Sequence, residues 1–107
     1  HRPFFAEQAA VIRDERAWLI GRLAELAGRP GSSIGTVYPT EANFVLVRID
    51  GDEGAATAVA RRLLEAGVLI KDASRIHPSL ANCLRLTVGT PDENRALVDA
   101  LADAALR

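Results

Sequence analysis

The residue whose type and position most clearly suggest chemistry is Arg85, in an alternating stretch that begins at Cys83. On a strand, the leucines of this stretch would point to one side, and Cys83, Arg85 and Thr87 to the other. An arginine on a strand is costly to cover unless it pairs with an anion. Its planar guanidinium could therefore bind a carboxylate or a phosphate. Alternatively, Arg85 lies on an exposed sheet face, paired with Asp72 or with no partner.

Lys71 is the only lysine among the thirteen basic residues of the chain, and it ends the strand predicted before that of Arg85. It could be a second anion contact, or it could form a Schiff base, which requires burial or neighbouring cations to lower its pKa. The adjacent Asp72 favours the charged ammonium, because an opposite charge stabilises the ionised form. The sequence thus favours an anion contact at Lys71.

The remaining residues form no recognisable active site. His1 and His77 have no second ligand at metal spacing and Cys83 is the single cysteine, so we expect no zinc site. The glycines after the first predicted helix lack the flanking elements of a dinucleotide fingerprint, and neither GxxxxGK[ST] nor GxSxG occurs. The formal net charge is −1 and no apolar run approaches the ~20 residues of a membrane span, so neither nucleic acid nor a membrane is an expected partner.

Hydrophobic periodicity predicts the elements that must position Arg85 and Lys71. Helices are predicted over 4–27, 55–66 and 91–106, and strands over 36–38, 43–49, 68–71 and 83–88. The order α-β-β-α-β-β-α predicts an α/β fold of α+β-like character, with a small mixed sheet of three to four strands and helices mainly on one face. We expect a single domain over 1–107, since this length suits one modest core.

The ends and faces of the helices follow from particular residues. Thr90, Pro91 and Glu93 form a strong helix start, and Gly67 is a typical C-terminal glycine. The second helix should bury Val59, Leu63 and Leu64, and the last helix Leu97, Val98 and Leu101.

The first helix carries two apolar stripes. The expected core stripe comprises Phe5, Ala9, Ile12, Leu19, Leu23 and Leu26. A second ridge, Phe4, Val11 and Trp18, recurs at a helical spacing about 110° around the helix. It indicates either a wide buried face or a surface for a piece of protein outside this sequence. The strand over 43–49 is apolar on both sides and should be covered on both.

Two longer stretches, 67–72 and 77–94, closely resemble the C-terminal part of histidinol-phosphate aminotransferases. The run from Arg85 to Asn94 is the most specific part of the resemblance, which covers essentially the whole chain. The stretch 39–44 is similar to the family segment that enters the central strand of the small domain. Other pyridoxal-phosphate enzymes of the same fold share its shorter signal, Ala42-Asn43-Phe44.

The resemblance implies a homodimeric, cytoplasmic, pyridoxal-phosphate-dependent transaminase of histidine biosynthesis. The family converts L-histidinol phosphate and 2-oxoglutarate to imidazole-acetol phosphate and L-glutamate. This chain would be the C-terminal small domain of such a fold type I enzyme. The large domain, with the Schiff-base lysine and the pyridine-nitrogen aspartate, would lie outside the sequence. We therefore expect neither catalytic residues nor bound cofactor in this chain, which should be inactive alone.

The resemblance also assigns substrate-binding roles. Arg85 matches the family arginine that binds the glutamate carboxylate and helps to hold the phosphate end of the other substrate. Lys71 matches a basic position, often arginine, that contacts the substrate phosphate, and Asn43 matches an asparagine that shapes the site. Two alternatives stay open: the small domain of a related amino-acid-phosphate decarboxylase or another aminotransferase, and a free-standing ACT-like regulatory module that binds small molecules.

Overall fold

The fold is that of a computed structural model, which describes residues 2–38, 43–68 and 70–105, excepting the side chains of 2–9 and 75. Its elements are α1 (Arg2–Ala27), β1 (Ile34–Tyr38), β2 (Phe44–Ile49), α2 (Ala55–Glu65), β3 (Lys71–Asp72), β4 (Cys83–Thr87) and α3 (Pro91–Ala105). Two 3₁₀ turns, Ala73–Arg75 and Pro78–Leu80, lie between β3 and β4. The predicted order of helices and strands is confirmed.

The four strands form one sheet in the order β1-β2-β4-β3, and all three neighbouring pairs are antiparallel. The prediction of a mixed sheet is therefore wrong, although the α/β class is confirmed. The reason lies in the connection between β2 and β3, which run in the same direction and are joined through α2. They leave a gap for β4, which pairs antiparallel with both.

One face of the sheet carries the core. Buried Val45, Val47 and Ile49 alternate along β2 with half-buried residues of the opposite face. α1 and α2 contact the sheet and α3 packs against both helices, so all three helices join one hydrophobic cluster. This confirms that the helices lie on one face. No helix described here is both apolar enough and long enough to cross a membrane.

Two residues expected in the core are exposed instead. Ile12 is 42% exposed and Leu64 is 58% exposed. On α2 the buried residues are Ala56, Val59 and Leu63, and Leu64 lies about 100° further around the helix.

The exposure of Ile12 reflects the length of α1. The helix has 26 residues, whereas its core contacts Leu19, Leu23 and Leu26 all belong to its second half. At about 1.5 Å per residue, the first half extends beyond the sheet, so Val11 is 50% exposed. Phe4, Phe5 and Ala9, predicted on the two stripes, have side chains outside the described set.

The end of α2 explains why β3 is shorter than predicted. Gly67 adopts the left-handed conformation (φ 86°) and donates its N–H to the Leu64 carbonyl at 2.9 Å. The Val68 N–H in turn donates to the Leu63 carbonyl at 2.8 Å, which completes a Schellman motif. Val68 therefore closes the helix, and the pairing with β4 that the structure describes begins at Lys71.

The turn from β4 into α3 has the predicted capping box. The Glu93 N–H donates to the Thr90 hydroxyl at 3.2 Å, and the Thr90 N–H donates to the Glu93 carboxylate at 2.9 Å. These reciprocal bonds fix the residues that follow the Arg85 strand.

Asn94 links the turn between β4 and α3 to α1 through hydrogen bonds. Its side chain, 1% exposed, accepts a hydrogen bond from the Gly89 N–H at 2.8 Å and donates to the Gly89 carbonyl at 3.1 Å. It also donates to the Glu15 carboxylate at 3.0 Å, and Arg95 forms an ion pair with Glu15 at 2.9 Å. The Arg95 guanidinium lies over the Trp18 ring, 4.1 Å from its centroid. Part of the predicted second ridge on α1 is thus covered by α3.

We predict that Asn94→Ala lowers the free energy of unfolding by about 1–3 kcal/mol, because it leaves the partly buried Gly89 N–H without its acceptor and the Glu15 carboxylate with Arg95 alone. Urea unfolding of the two proteins measures the difference. Asp99→Ala, at an exposed position of the same helix, is the control and should change stability by less than about 0.5 kcal/mol. Equal effects of the two substitutions would contradict this role for Asn94.

We also predict that stability falls in acid through Glu15 and Glu93. The hydrogen bond from Asn94, helped by Arg95 and opposed by burial, lowers the pKa of Glu15 below its ordinary 4.5. The backbone N–H and the hydroxyl of Thr90 lower the pKa of Glu93 in the same direction. Because these folded-state pKa values lie below those of the unfolded chain, both carboxylates stabilise the fold above about pH 4.5, and this contribution is lost as the pH falls through the lowered values.

The measurement is urea unfolding between about pH 5 and about pH 3 for the wild type and the double variant Glu15→Gln/Glu93→Gln. The variant should lose less stability over this range than the wild type. Parallel curves for the two proteins would show that neither carboxylate matters to the acid response.

Candidate functional site

The face of the sheet opposite the helices, called the open face from here on, presents the predicted site. Its strand residues are Thr36, Tyr38, Phe44, Leu46, Arg48, Lys71, Cys83, Arg85 and Thr87. The charged members of this set are all basic. The apolar members of β2 on this face are half-buried, although α1, α2 and α3 pack on the other face.

Arg85 and Lys71 are direct cross-strand partners on the open face. Arg85 also pairs with Leu46, which pairs with Tyr38, so the four residues form one row across all four strands. Both cations are exposed, and neither takes part in the ion pairs formed among the described residues. Cross-strand partners have Cβ atoms about 5 Å apart, where like charges destabilise the sheet unless an anion lies between them.

Asp72, the alternative partner of Arg85, lies on the other side of the sheet. It pairs with Leu84, whose side chain is in the core, because successive residues of a strand point to opposite faces. Its carboxylate accepts hydrogen bonds from the Thr57 hydroxyl at 2.5 Å, and from the backbone and hydroxyl of Ser74. The Asp72 carboxylate thus stabilises the turn after β3, and the structure does not place it beside Arg85.

Arg48, the third cation of the open face, is used by the protein itself. It donates to the carbonyls of Ala81 at 2.7 Å and Ser79 at 3.1 Å, and to the Tyr38 hydroxyl at 3.2 Å. The hydrogen bond with Tyr38 is the main cause that raises the pKa of Arg48. Because these donors already hold the loop before β4, Arg85 and Lys71 are the better candidates to bind an external anion.

Phe44 contacts Arg85, although no sequence motif identifies it as a site residue. The Arg85 guanidinium lies over its ring, with the guanidinium carbon 4.4 Å from the ring centroid. The available signal was the spacing of Phe44, Leu46 and Arg48 at every second position, which places them together on the side of the sheet that the helices leave open. An arginine stacked on an aromatic ring keeps the edge of its guanidinium free for an anion.

Asn43, the third predicted site residue, lies just before β2 and is exposed. Its carbonyl accepts a hydrogen bond from the Val88 N–H at 2.8 Å. The Phe44–Thr87 pair separates Asn43 from the row that contains Arg85. The structure brings Arg85 and Lys71 together and places Asn43 at the end of the same pair of strands.

A groove of about 750 Å³ opens beside Lys71, at the β3 edge of the sheet. Thr87, Glu93 and Leu97 are among the residues that line it, and Arg85 is not. Lys71 also lines the groove, which therefore includes one member of the Arg85–Lys71 pair and adjoins the other.

The described residues do not by themselves fit pyridoxal phosphate. Lys71, the only lysine, is exposed at the sheet edge beside another cation, and the strand residues of the open face offer no carboxylate for a pyridine nitrogen. Nor does the described part of the chain group three metal-binding side chains. Cys83 is buried at 1% exposure, as expected of a packing residue.

Curated proteins of similar sequence are histidinol-phosphate aminotransferases. The protein from Methylibium petroleiphilum is 46% identical over 101 residues, which is 94% of this chain and 24% of that protein. Histidinol-phosphate aminotransferase 1 from Burkholderia lata is 47% identical over 102 residues, or 94% of this chain and 26% of that protein. No protein-family model matches the chain.

Solved structures share the fold. The crystal structure of the histidinol-phosphate aminotransferase from Clostridium acetobutylicum superposes with a TM-score of 0.78 over 92% of this chain and 27% of that one, at 22% identity. A decarboxylase from Sulfurospirillum multivorans superposes with a TM-score of 0.69 at 25% identity, over 86% of this chain and 24% of that one.

The comparisons therefore agree with the resemblance first seen in the run that follows Arg85. The fold alone is shared with proteins of more than one activity, whereas the sequence relatives at about 46% identity carry one name. By sequence and fold, this chain is related to histidinol-phosphate aminotransferases, and it spans about a quarter of the length of the curated relatives that it matches.

Proposed function

We propose that this chain is the C-terminal small domain of a pyridoxal-phosphate-dependent histidinol-phosphate aminotransferase. The complete enzyme would transfer an amino group from L-histidinol phosphate to 2-oxoglutarate, giving imidazole-acetol phosphate and L-glutamate. The small domain would supply Arg85 and Lys71 to the substrate site. Asn43 would also contribute, in a smaller role.

The observation that carries the proposal is the placement of Arg85 beside Lys71 on the open face, in a chain about 46% identical to these aminotransferases over 94% of its length. Both substrates of the reaction are anions, since histidinol phosphate carries a phosphate and 2-oxoglutarate carries two carboxylates. Two exposed cations on adjacent strands are suited to such groups. An anion between them would also relieve the repulsion between their charges.

Arg85 would bind a carboxylate through two parallel N–H donors of its guanidinium. Lys71 would act as a point charge towards a phosphate, with three donors that rotate freely. Because both side chains project from paired strands, their spacing is set by the sheet rather than by a loop. We assign both residues to binding and orienting the substrate, since neither forms an ion pair among the described residues and both charges are therefore available to an anion.

Pyridoxal phosphate, bound by the complete enzyme, supplies the electron sink that the reaction needs. The lysine and the carboxylate that hold it would come from a large domain packed beside the open face. We further propose that the complete enzyme is a cytoplasmic homodimer, as the family resemblance implies. The exposed first half of α1, with Val11 and Ile12, is suited to contact the same large domain.

A second candidate is an amino-acid-phosphate decarboxylase of the same fold. The observation in its favour is the structural similarity to the decarboxylase from Sulfurospirillum multivorans. Histidinol phosphate has no carboxylate to lose, so the two activities can be separated by substrate. Release of CO₂ from an amino-acid phosphate, without amino transfer to 2-oxoglutarate, would support the decarboxylase.

We predict that Arg85→Ala, in the full-length protein that the gene encodes, lowers kcat/KM for histidinol phosphate and 2-oxoglutarate by about 30- to 1,000-fold, through the loss of two charge-assisted hydrogen bonds. Glutamate formation measures the rate. Arg61→Ala is the control, because Arg61 is an exposed cation on α2, remote from the open face. Wild-type kinetics in Arg85→Ala would refute the role assigned to this arginine.

Lys71 gives a graded version of the same experiment. We predict that Lys71→Ala lowers kcat/KM by about tenfold, because one exposed charge–phosphate contact is lost. Lys71→Arg should retain the activity and lower KM for histidinol phosphate, since a guanidinium can bind phosphate through two donors. If Lys71→Ala and Lys71→Arg behave alike, Lys71 does not contact the phosphate.

The loss of activity in Arg85→Ala should not come from unfolding. We predict that Arg85→Ala changes the free energy of unfolding by less than about 1 kcal/mol, the usual size of an exposed cation–π contact. Leu84→Ala, one position away on the buried face, should lower it by about 2–5 kcal/mol. Urea unfolding of both variants makes the comparison.

A further inference from the structure

The guanidinium of Arg85 lies between two unlike neighbours. On one side, Lys71 of β3 is its cross-strand partner and repels it. On the other side, Phe44 of β2 offers the face of an aromatic ring, 4.4 Å from the guanidinium carbon. The ring carries negative charge density on its face and attracts the cation.

These two influences act in the same direction. Phe44 belongs to β2, which pairs with β4 on the side away from β3. A guanidinium drawn over the Phe44 ring therefore leans away from Lys71 and leaves a gap between the two cations. Phe44 is diagonal to Arg85 in the ladder, because it pairs with Thr87 while Arg85 pairs with Leu46. Diagonal neighbours are within reach of aromatic and long side chains.

We propose that Phe44 is a positioning residue that orients the Arg85 guanidinium for a carboxylate before the substrate arrives. The ring lies 4.4 Å from the guanidinium carbon, so the anion must approach the guanidinium from the side away from the ring, through its paired donors. The stacking also removes rotational freedom from a side chain that otherwise loses it on binding. This inference rests on the proposed function, since it assigns a role to Phe44 through Arg85.

The test compares Phe44→Leu with Phe44→Trp in the full-length protein. Phe44→Leu keeps an apolar side chain and removes the ring, and it should raise KM for 2-oxoglutarate by about three- to tenfold while kcat stays within about twofold. Phe44→Trp restores a ring with a stronger affinity for cations and should bring KM back to the wild-type value or below it. A merely structural role would not distinguish the two variants in this way.

Trp18→Leu is the matched control. It removes a second close arginine–aromatic pair, that of Arg95 and Trp18, which lies between α1 and α3 on the helix side of the sheet. It should leave KM for 2-oxoglutarate unchanged. A further variant, Phe44→Leu in the Arg85→Ala background, should have no additional effect on KM, because Phe44 acts through Arg85.

Calorimetric titration with 2-oxoglutarate separates this inference from the proposed function. If the wild type binds the dicarboxylate and Phe44→Leu weakens binding by the same three- to tenfold, about 0.7–1.4 kcal/mol, the inference holds even in a protein without transaminase activity. A lack of transaminase activity in the full-length protein would by itself refute the proposed function. Wild-type affinity in Phe44→Leu, equal weakening in Phe44→Leu and Phe44→Trp, or no binding by the wild type would each overturn the role of Phe44.

Discussion

The constraint on which the rest of the structure depends is the alternation of side chains along β4. Leu84 and Leu86 are fully buried under the helices, and the residue between them must therefore point to the opposite face. Arg85 occupies that position. The burial that stabilises the domain thus fixes the direction of the arginine, and a shift of the register by one residue would bury the cation and expose both leucines. The same register of β4 is therefore required to bury Leu84 and Leu86 and to expose Arg85 on the open face.

The ends of β4 preserve this register. Before the strand, Asn82 accepts a hydrogen bond from the Ala56 N–H at the start of α2 at 3.3 Å and donates to the Asp52 carbonyl at 3.0 Å. After the strand, Asn94 binds both backbone groups of Gly89. Two asparagines, on opposite sides of the strand in sequence, therefore hold a segment whose own pairing with β3 is only two residues long. Side-chain hydrogen bonds to backbone groups thus compensate for the small number of residues paired between β3 and β4.

Much of the fold could be predicted from the sequence, because its signals are local. The capping box at Thr90 and Glu93 and the C-terminal glycine of α2 both involve residues within a few positions of one another. The misassignments concern distant contacts. Whether Ile12 is buried depends on where the sheet ends relative to α1, and whether the sheet is mixed depends on which strand fills the gap between β2 and β3. Likewise, the alternation predicted the face of Arg85, whereas the ring of Phe44 beneath it required the β2–β4 register.

The shortness of β3 has one more consequence, for the behaviour of the protein in solution. A long, flat strand at the rim of a sheet offers free N–H and C=O groups to any other chain, and so invites aggregation. Here the rim strand is two residues long and carries a lysine. The opposite rim, β1, is interrupted by a bulge between Ile34 and Thr36. Both rims are thus poor templates for intermolecular strand pairing, which helps to keep the exposed face of the sheet from being lost in aggregates.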